Sequence, residues 1–95
     1  MDAPYQLDDT SQIITPALVV FQDVLEANLD QMIHVAGNAS RLRPHCKTHK
    51  MPAVVRLQLE RGITKHKCAT FGEAEMLGQA GARDVFLAYN LVGPN

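Results

Sequence analysis

Residues 66–89 read HKCATFGEAEMLGQAGARDVFLAY, and this stretch decides the fold class. His66 to Ala69 is short and bounded like a strand. Thr70 then opens a helix, with Glu73 completing a Thr-x-x-Glu capping box and Gly81 closing it. Val85-Phe86-Leu87-Ala88-Tyr89 is apolar and β-prone, so a second strand follows. The order is strand, helix, strand within one short unit.

The same grammar extends upstream. A helix is expected from Pro52, suited to a first turn, through Val54, Val55, Leu57 and Leu59 to a stop at Gly62. Leu42 to Lys47 is read as a strand end from its place between helices. Before it, Asp23 is expected to cap a helix with Glu26 as box partner and Gly37 as terminator. Leu25, Leu29, Met32, Ile33 and Ala36 line one face of that helix. Ala17 to Phe21, entered through Pro16, reads as a further strand, and residues 1–15 are polar and irregular.

Strand ends therefore fall near Lys47, Thr70 and Tyr89, about 20 residues apart, with a helix in each interval. That pitch describes β/α units on a parallel sheet. Three such strands cannot close a barrel, and a (β/α)8 barrel takes roughly 250 residues. The expected fold is α/β: the N-terminal portion of a TIM barrel, incomplete in this chain. The competing architecture is a small open α/β sheet ending at Asn95, whose edges would stay unpaired. In either case ligands gather at the carboxyl ends of the strands, which makes Lys47, Thr70 and Tyr89 candidates by position.

Composition narrows the function classes. The 95 residues are 46% hydrophobic and 20% charged, with a net charge of −1, which fits a globular chain and not a disordered or collagen-like one. Charge is unevenly laid out: residues 1–40 sum to −6, residues 41–67 to +7 and the remainder to −2. An anion would be drawn to the middle. Two cysteines, Cys46 and Cys68, are too few for a disulfide framework. With no signal peptide and no long apolar run, a cytoplasmic protein without a membrane partner is expected.

Arg43-Pro44-His45-Cys46-Lys47-Thr48-His49-Lys50 holds the densest reactive chemistry. It reads most simply as a solvated basic loop. At a strand end, however, neighbouring cations favour the neutral form of an amine, and such a lysine attacks carbonyls to give a Schiff base. His45 and His49, with Cys46 between them, would suit a metal only on a helix, which Pro44 opposes. A nucleic-acid surface would want stacking aromatics, and the segment has none. His34 reads as a helix-edge residue, Cys68 as a small buried hydrophobe, Thr70 as a cap that could also face an anion, and Tyr89 as packing or pocket mouth.

The octapeptide resembles the Arg-Pro-His-x-Lys-Thr-His-Lys signature of fold-type III pyridoxal-phosphate enzymes, in the D-threonine aldolase and D-serine dehydratase branch of the alanine-racemase-like superfamily. Thr15-Pro16-Ala17-Leu18-Val19-Val20, Cys68-Ala69-Thr70, Gly72-Glu73-Ala74-Glu75, Leu87-Ala88-Tyr89 and Val92-Gly93-Pro94 extend the likeness over nearly the whole chain. Thr48-His49-Lys50-Met51 departs from the Tyr-Gly-His-Gly type of sequence that follows the lysine in alanine racemases.

The resemblance implies that residues 1–95 are part of an alanine-racemase-like barrel domain, with the remaining barrel and a C-terminal β domain absent. It implies pyridoxal 5′-phosphate bound through Lys47, which doubles as acid/base, and His45, Thr70 and Tyr89 as further cofactor contacts. The substrate would be a small D-3-hydroxy amino acid, cleaved by an aldolase to glycine and an aldehyde or deaminated by a dehydratase. A divalent metal would assist at the β-hydroxyl, with ligands outside this chain. A homodimer is expected for the full-length protein, no nucleic-acid partner, and no activity from the isolated segment. The competing class is a small anion- or nucleic-acid-binding module built on the +7 segment.

Overall fold

The computed structural model describes residues 5–94. Among the described residues the order is α1 (Gln22–Ala36), a short 3-10 helix (Ala39–Arg41), α2 (Pro52–Glu60), β1 (Lys65–Cys68), α3 (Phe71–Ala80) and β2 (Asp84–Leu87). The strands are parallel, in the register Lys65↔Asp84, His66↔Val85, Lys67↔Phe86 and Cys68↔Leu87. The chain is thus α/β on a parallel sheet, as its strand–helix pitch requires.

Several of the helix ends have a local cause. Pro52 occupies the first turn of α2, where its missing N–H costs nothing. The Thr70 hydroxyl accepts the Glu73 N–H to cap α3. Gly37 and Gly81 take left-handed conformations, φ 87° and 110°, that terminate α1 and α3.

Strand alternation sorts the side chains. His66 and Cys68 of β1 are buried beneath α2 and α3, while Lys65 and Lys67 turn to the opposite face. Cys46, Val55, Cys68, Leu77 and Ala82 form the core, flanked by Leu59, Val85 and Leu87. Among the described residues the other sheet face is bare, and Phe86 on it is 55% exposed. The radius of gyration is 15.5 Å, against about 12 Å for a compact chain of this length.

Three expectations need correction. Ala17 to Phe21 forms no strand: among the described residues it pairs with no other segment, and Leu18 is 62% exposed. Leu42 to Lys47 contributes a single parallel bridge, His45↔Lys67, in place of a strand end of several residues. Pro44 O accepts the Lys67 N–H and Cys46 N–H donates to Lys67 O, both at 2.9 Å, after which the chain curls into a turn. Finally, α1 starts at Gln22 behind Phe21 with no side-chain cap. The Asp23 carboxylate accepts only the adjacent Val24 N–H, and Glu26 pairs with Arg61 of the α2 C-terminus.

Candidate active site

The bridge at His45 fixes the direction in which the octapeptide runs. It aligns that segment with β1 and β2, so that its Arg43 end meets the start of the strands and its Lys47 end leaves with their carboxyl termini. Arg43 donates to His66 O and pairs with the Asp84 carboxylate at 2.8 Å. That pairing holds the Asp84 carboxyl below the usual carboxylate range. Arg43 therefore ties the strand starts together and does not belong to a cationic ring around Lys47.

The Lys47 end is a tightly bonded turn. Lys50 N–H donates to Cys46 O at 2.8 Å, and His49 N–H reaches the same oxygen at 3.3 Å. His45 Nδ1 accepts the Lys47 N–H at 3.1 Å, and His49 Nδ1 accepts the Met51 N–H at 2.9 Å. Lys50 is the one non-glycine among the described residues with positive φ, 53°, and its Nζ donates to Lys47 O at 2.7 Å. Every backbone polar group of Lys47 is thereby occupied, while its exposed ammonium has no hydrogen bond or ion pair among the described residues. A fixed backbone carrying a free amine suits a covalent lysine.

Electrostatics favour neutral imidazoles here. Burial, then the charges of Lys47 and Lys67, push His45 below the usual histidine value. Burial and Lys50 do the same to His49. With Nδ1 of each ring accepting a backbone N–H, the ring proton sits on Nε2, leaving one donor per ring. The Cys46 thiol, buried beside Glu73, is pushed up to about 11 and is no nucleophile.

Thr70 and Tyr89 lie at the same edge. Thr70 follows the last residues of β1, and Ala88 N–H continues the β2 ladder by one bond to Cys68 O, so Tyr89 starts where that strand ends. The parallel register thus brings Lys47, Thr70 and Tyr89 to one end of the sheet. Tyr89 is 73% exposed and Thr70 is exposed. His45 lies one bridge below, opposite Lys67. Among the described residues no three His, Cys, Asp or Glu side chains converge as a metal site would require.

Glu73 does more than cap. Its carboxylate, 5% exposed, accepts the Ala69 N–H at 2.9 Å and the Cys46 thiol at 3.8 Å, and lies 3.7 Å from Lys50 Nζ. The Ala69 bond leads in holding the carboxyl below its ordinary value. The Thr-x-x-Glu spacing announces a cap, but nothing local in sequence announces a partner 27 positions away.

No protein-family model matches the chain, and no solved structure matches it. Curated relatives do. The chain is 35% identical over 88 residues to a D-threonine aldolase from Arthrobacter sp, a match covering 92% of this chain and 23% of that protein. It is 34% identical over 88 residues to a 3-hydroxy-D-aspartate aldolase from Paracoccus denitrificans, covering 90% and 23%. A D-threo-3-hydroxyaspartate dehydratase from Delftia sp. (strain HT23) is 33% identical over 78 residues, covering 81% and 20%. The chain spans less than a quarter of the length of these proteins.

Proposed function

From the premise that this chain is a relative of the D-threonine and 3-hydroxy-D-aspartate aldolases, we propose that it carries the cofactor lysine of a pyridoxal-phosphate lyase acting on D-3-hydroxy amino acids. The reaction proposed is retro-aldol cleavage to glycine and an aldehyde. The alternative is elimination of the β-hydroxyl with loss of ammonia, the dehydratase or D-serine dehydratase type of reaction, and the Delftia relative's name keeps it open. The architecture proposed for the whole protein is a (β/α)8 barrel, of which these strands would be early members.

One observation carries the reading: Lys47 stands at the carboxyl edge of a parallel sheet with its backbone fully bonded and its amine unpaired among the described residues. The cofactor, when bound, supplies the electron sink for the pair left behind when a bond at Cα breaks. Lys47 Nζ would hold the cofactor and, once displaced by the substrate amine, carry a proton to or from Cα. His45 Nε2–H is a donor pointed by its own turn, since Nδ1 is engaged with Lys47 N. The Thr70 hydroxyl accepts through its oxygen and keeps its hydrogen to donate. Tyr89 completes the proposed contacts from the next strand end.

A divalent metal is proposed for the whole protein, with ligands outside the described residues, which do not fit one. A cytoplasmic location and a homodimer are proposed likewise, and no helix among the described residues is long and apolar enough to cross a membrane. The test is reductive trapping: the intact protein is treated with pyridoxal phosphate and borohydride, and its peptides are mapped. Stable modification at Lys47 is expected. Labelling spread over surface lysines with Lys47 unmodified would overturn the reading.

A further inference from the structure

A buried carboxylate needs compensation for the water it gives up, and an ordinary helix cap does not require one here. Thr70 Oγ1 already accepts the Glu73 N–H, so α3 is capped without the Glu73 side chain. In a capping box that side chain would turn back to the Thr70 N–H; instead it accepts from Ala69 and reaches across to the octapeptide. There Oε1 meets the Cys46 thiol, the residue just before Lys47, and Oε2 faces Lys50 Nζ at 3.7 Å. Lys50 Nζ in turn donates to Lys47 O at 2.7 Å. Glu73 therefore touches the Lys47 turn at both ends, and it is the only acid in any ion pair with residues 46–50 among the described residues.

We propose that Glu73 is a positioning residue for Lys47, holding the turn against the end of β1 through Cys46 and Lys50 so that the amine stands fixed at the sheet edge. The proposal rests on the reading of Lys47 as the cofactor lysine. The Glu73 carboxylate also keeps Lys50 Nζ occupied, which separates the two neighbouring amines by role: Lys50 is tied down and Lys47 is free. Removing the charge while keeping the shape should blur that distinction.

The test compares Glu73→Gln with Leu77→Val in the intact protein, using pyridoxal phosphate with borohydride and peptide mapping, alongside thermal melts without cofactor. Leu77 is buried on the same helix and shares the core cluster with Cys46, but makes no side-chain hydrogen bond or ion pair to the turn among the described residues. Glu73→Gln is expected to slow trapping at Lys47 about tenfold, the scale of a sub-ångström misplacement, and to raise labelling of Lys50 relative to Lys47. Leu77→Val is expected to lower the melting temperature and leave the labelling ratio alone. Lys50→Met, which cuts the link from its other end, is expected to slow Lys47 trapping to a similar degree. Unchanged trapping in Glu73→Gln and Lys50→Met, or the same shift in ratio from Leu77→Val, would overturn the proposal. Failure of the unsubstituted protein to label Lys47 would instead overturn the functional reading beneath it.

Discussion

His45 Nδ1 accepts the backbone N–H of Lys47 at 3.1 Å, a side-chain to main-chain bond two residues forward. Asparagine makes the same bond in Asx-turns, so the imidazole is serving as a backbone clamp as well as a ring. His45→Asn is expected to keep the clamp and His45→Leu to lose it, with about 1 kcal/mol separating the two variants in denaturant unfolding. Amide exchange at Lys47 should quicken in the leucine variant alone.

Acid should loosen the fold before the carboxylates titrate. His45, His49 and His66 all lie below the usual histidine value because burial disfavours their charged forms. The unfolded chain, with ordinary histidines near about 6.5, then takes up more protons than the folded one. Stability from these rings is full above that pH and falls as pH drops through and below it. Glu73 and Asp84, both lowered when folded, extend the loss at more acid pH. Unfolding midpoints should be flat from pH 7.5 to 8.5 and decline from pH 7 to 5; a flat acid limb would contradict the assignment.

His66 is fully buried, with Nε2 3.0 Å from Gln58 Oε1 and Nδ1 without a hydrogen-bond partner among the described residues. Gln58→Leu orphans the second nitrogen as well and is expected to cost about 1–3 kcal/mol. Adding His66→Leu to it should recover part of that loss, because two apolar groups leave nothing unsatisfied. A double variant less stable than the single one would argue against the hydrogen-bond account.

Cys46 and Cys68 are buried free thiols, both raised by burial. Iodoacetamide at pH 7.5 is expected to modify neither in the folded protein and both in denaturant. Intact-mass measurement reads the difference directly.

Arg61 is expected to control how α1 sits. Its guanidinium bonds Asp30 at 2.8 Å and Glu26 at 3.1 Å, both on α1. Arg61→Ala should speed amide exchange in α1 while leaving α3 protected. Added salt should reproduce part of that effect in the unsubstituted protein and add little in the variant.

Much of this was legible in the residues because it is local. Pro52, Thr70, Gly37 and Gly81 punctuate helices through their own backbone chemistry, and the spacing between strand ends announces a parallel sheet. Misreadings arose where a partner decides the outcome. Asp23 and Glu26 have capping-box spacing, yet Arg61, 35 positions beyond Glu26, claims its carboxylate. Ala17 to Phe21 has strand composition and, among the described residues, no strand to pair with. The basic cluster suggested cations crowding Lys47, whereas Arg43 turns to Asp84 and Lys50 to Lys47 O. The carboxylate that Glu73 offers to Cys46 is likewise a fact of the folded chain.

The bridge at His45 divides eight consecutive residues into two occupations: Arg43 fastens strand starts and Lys47 presents an amine at their far end. On the proposed reading, exchanging Arg43 would cost stability by loosening the strand starts, whereas exchanging Lys47, whose ammonium makes no bond among the described residues, would remove the chemistry and leave the fold standing.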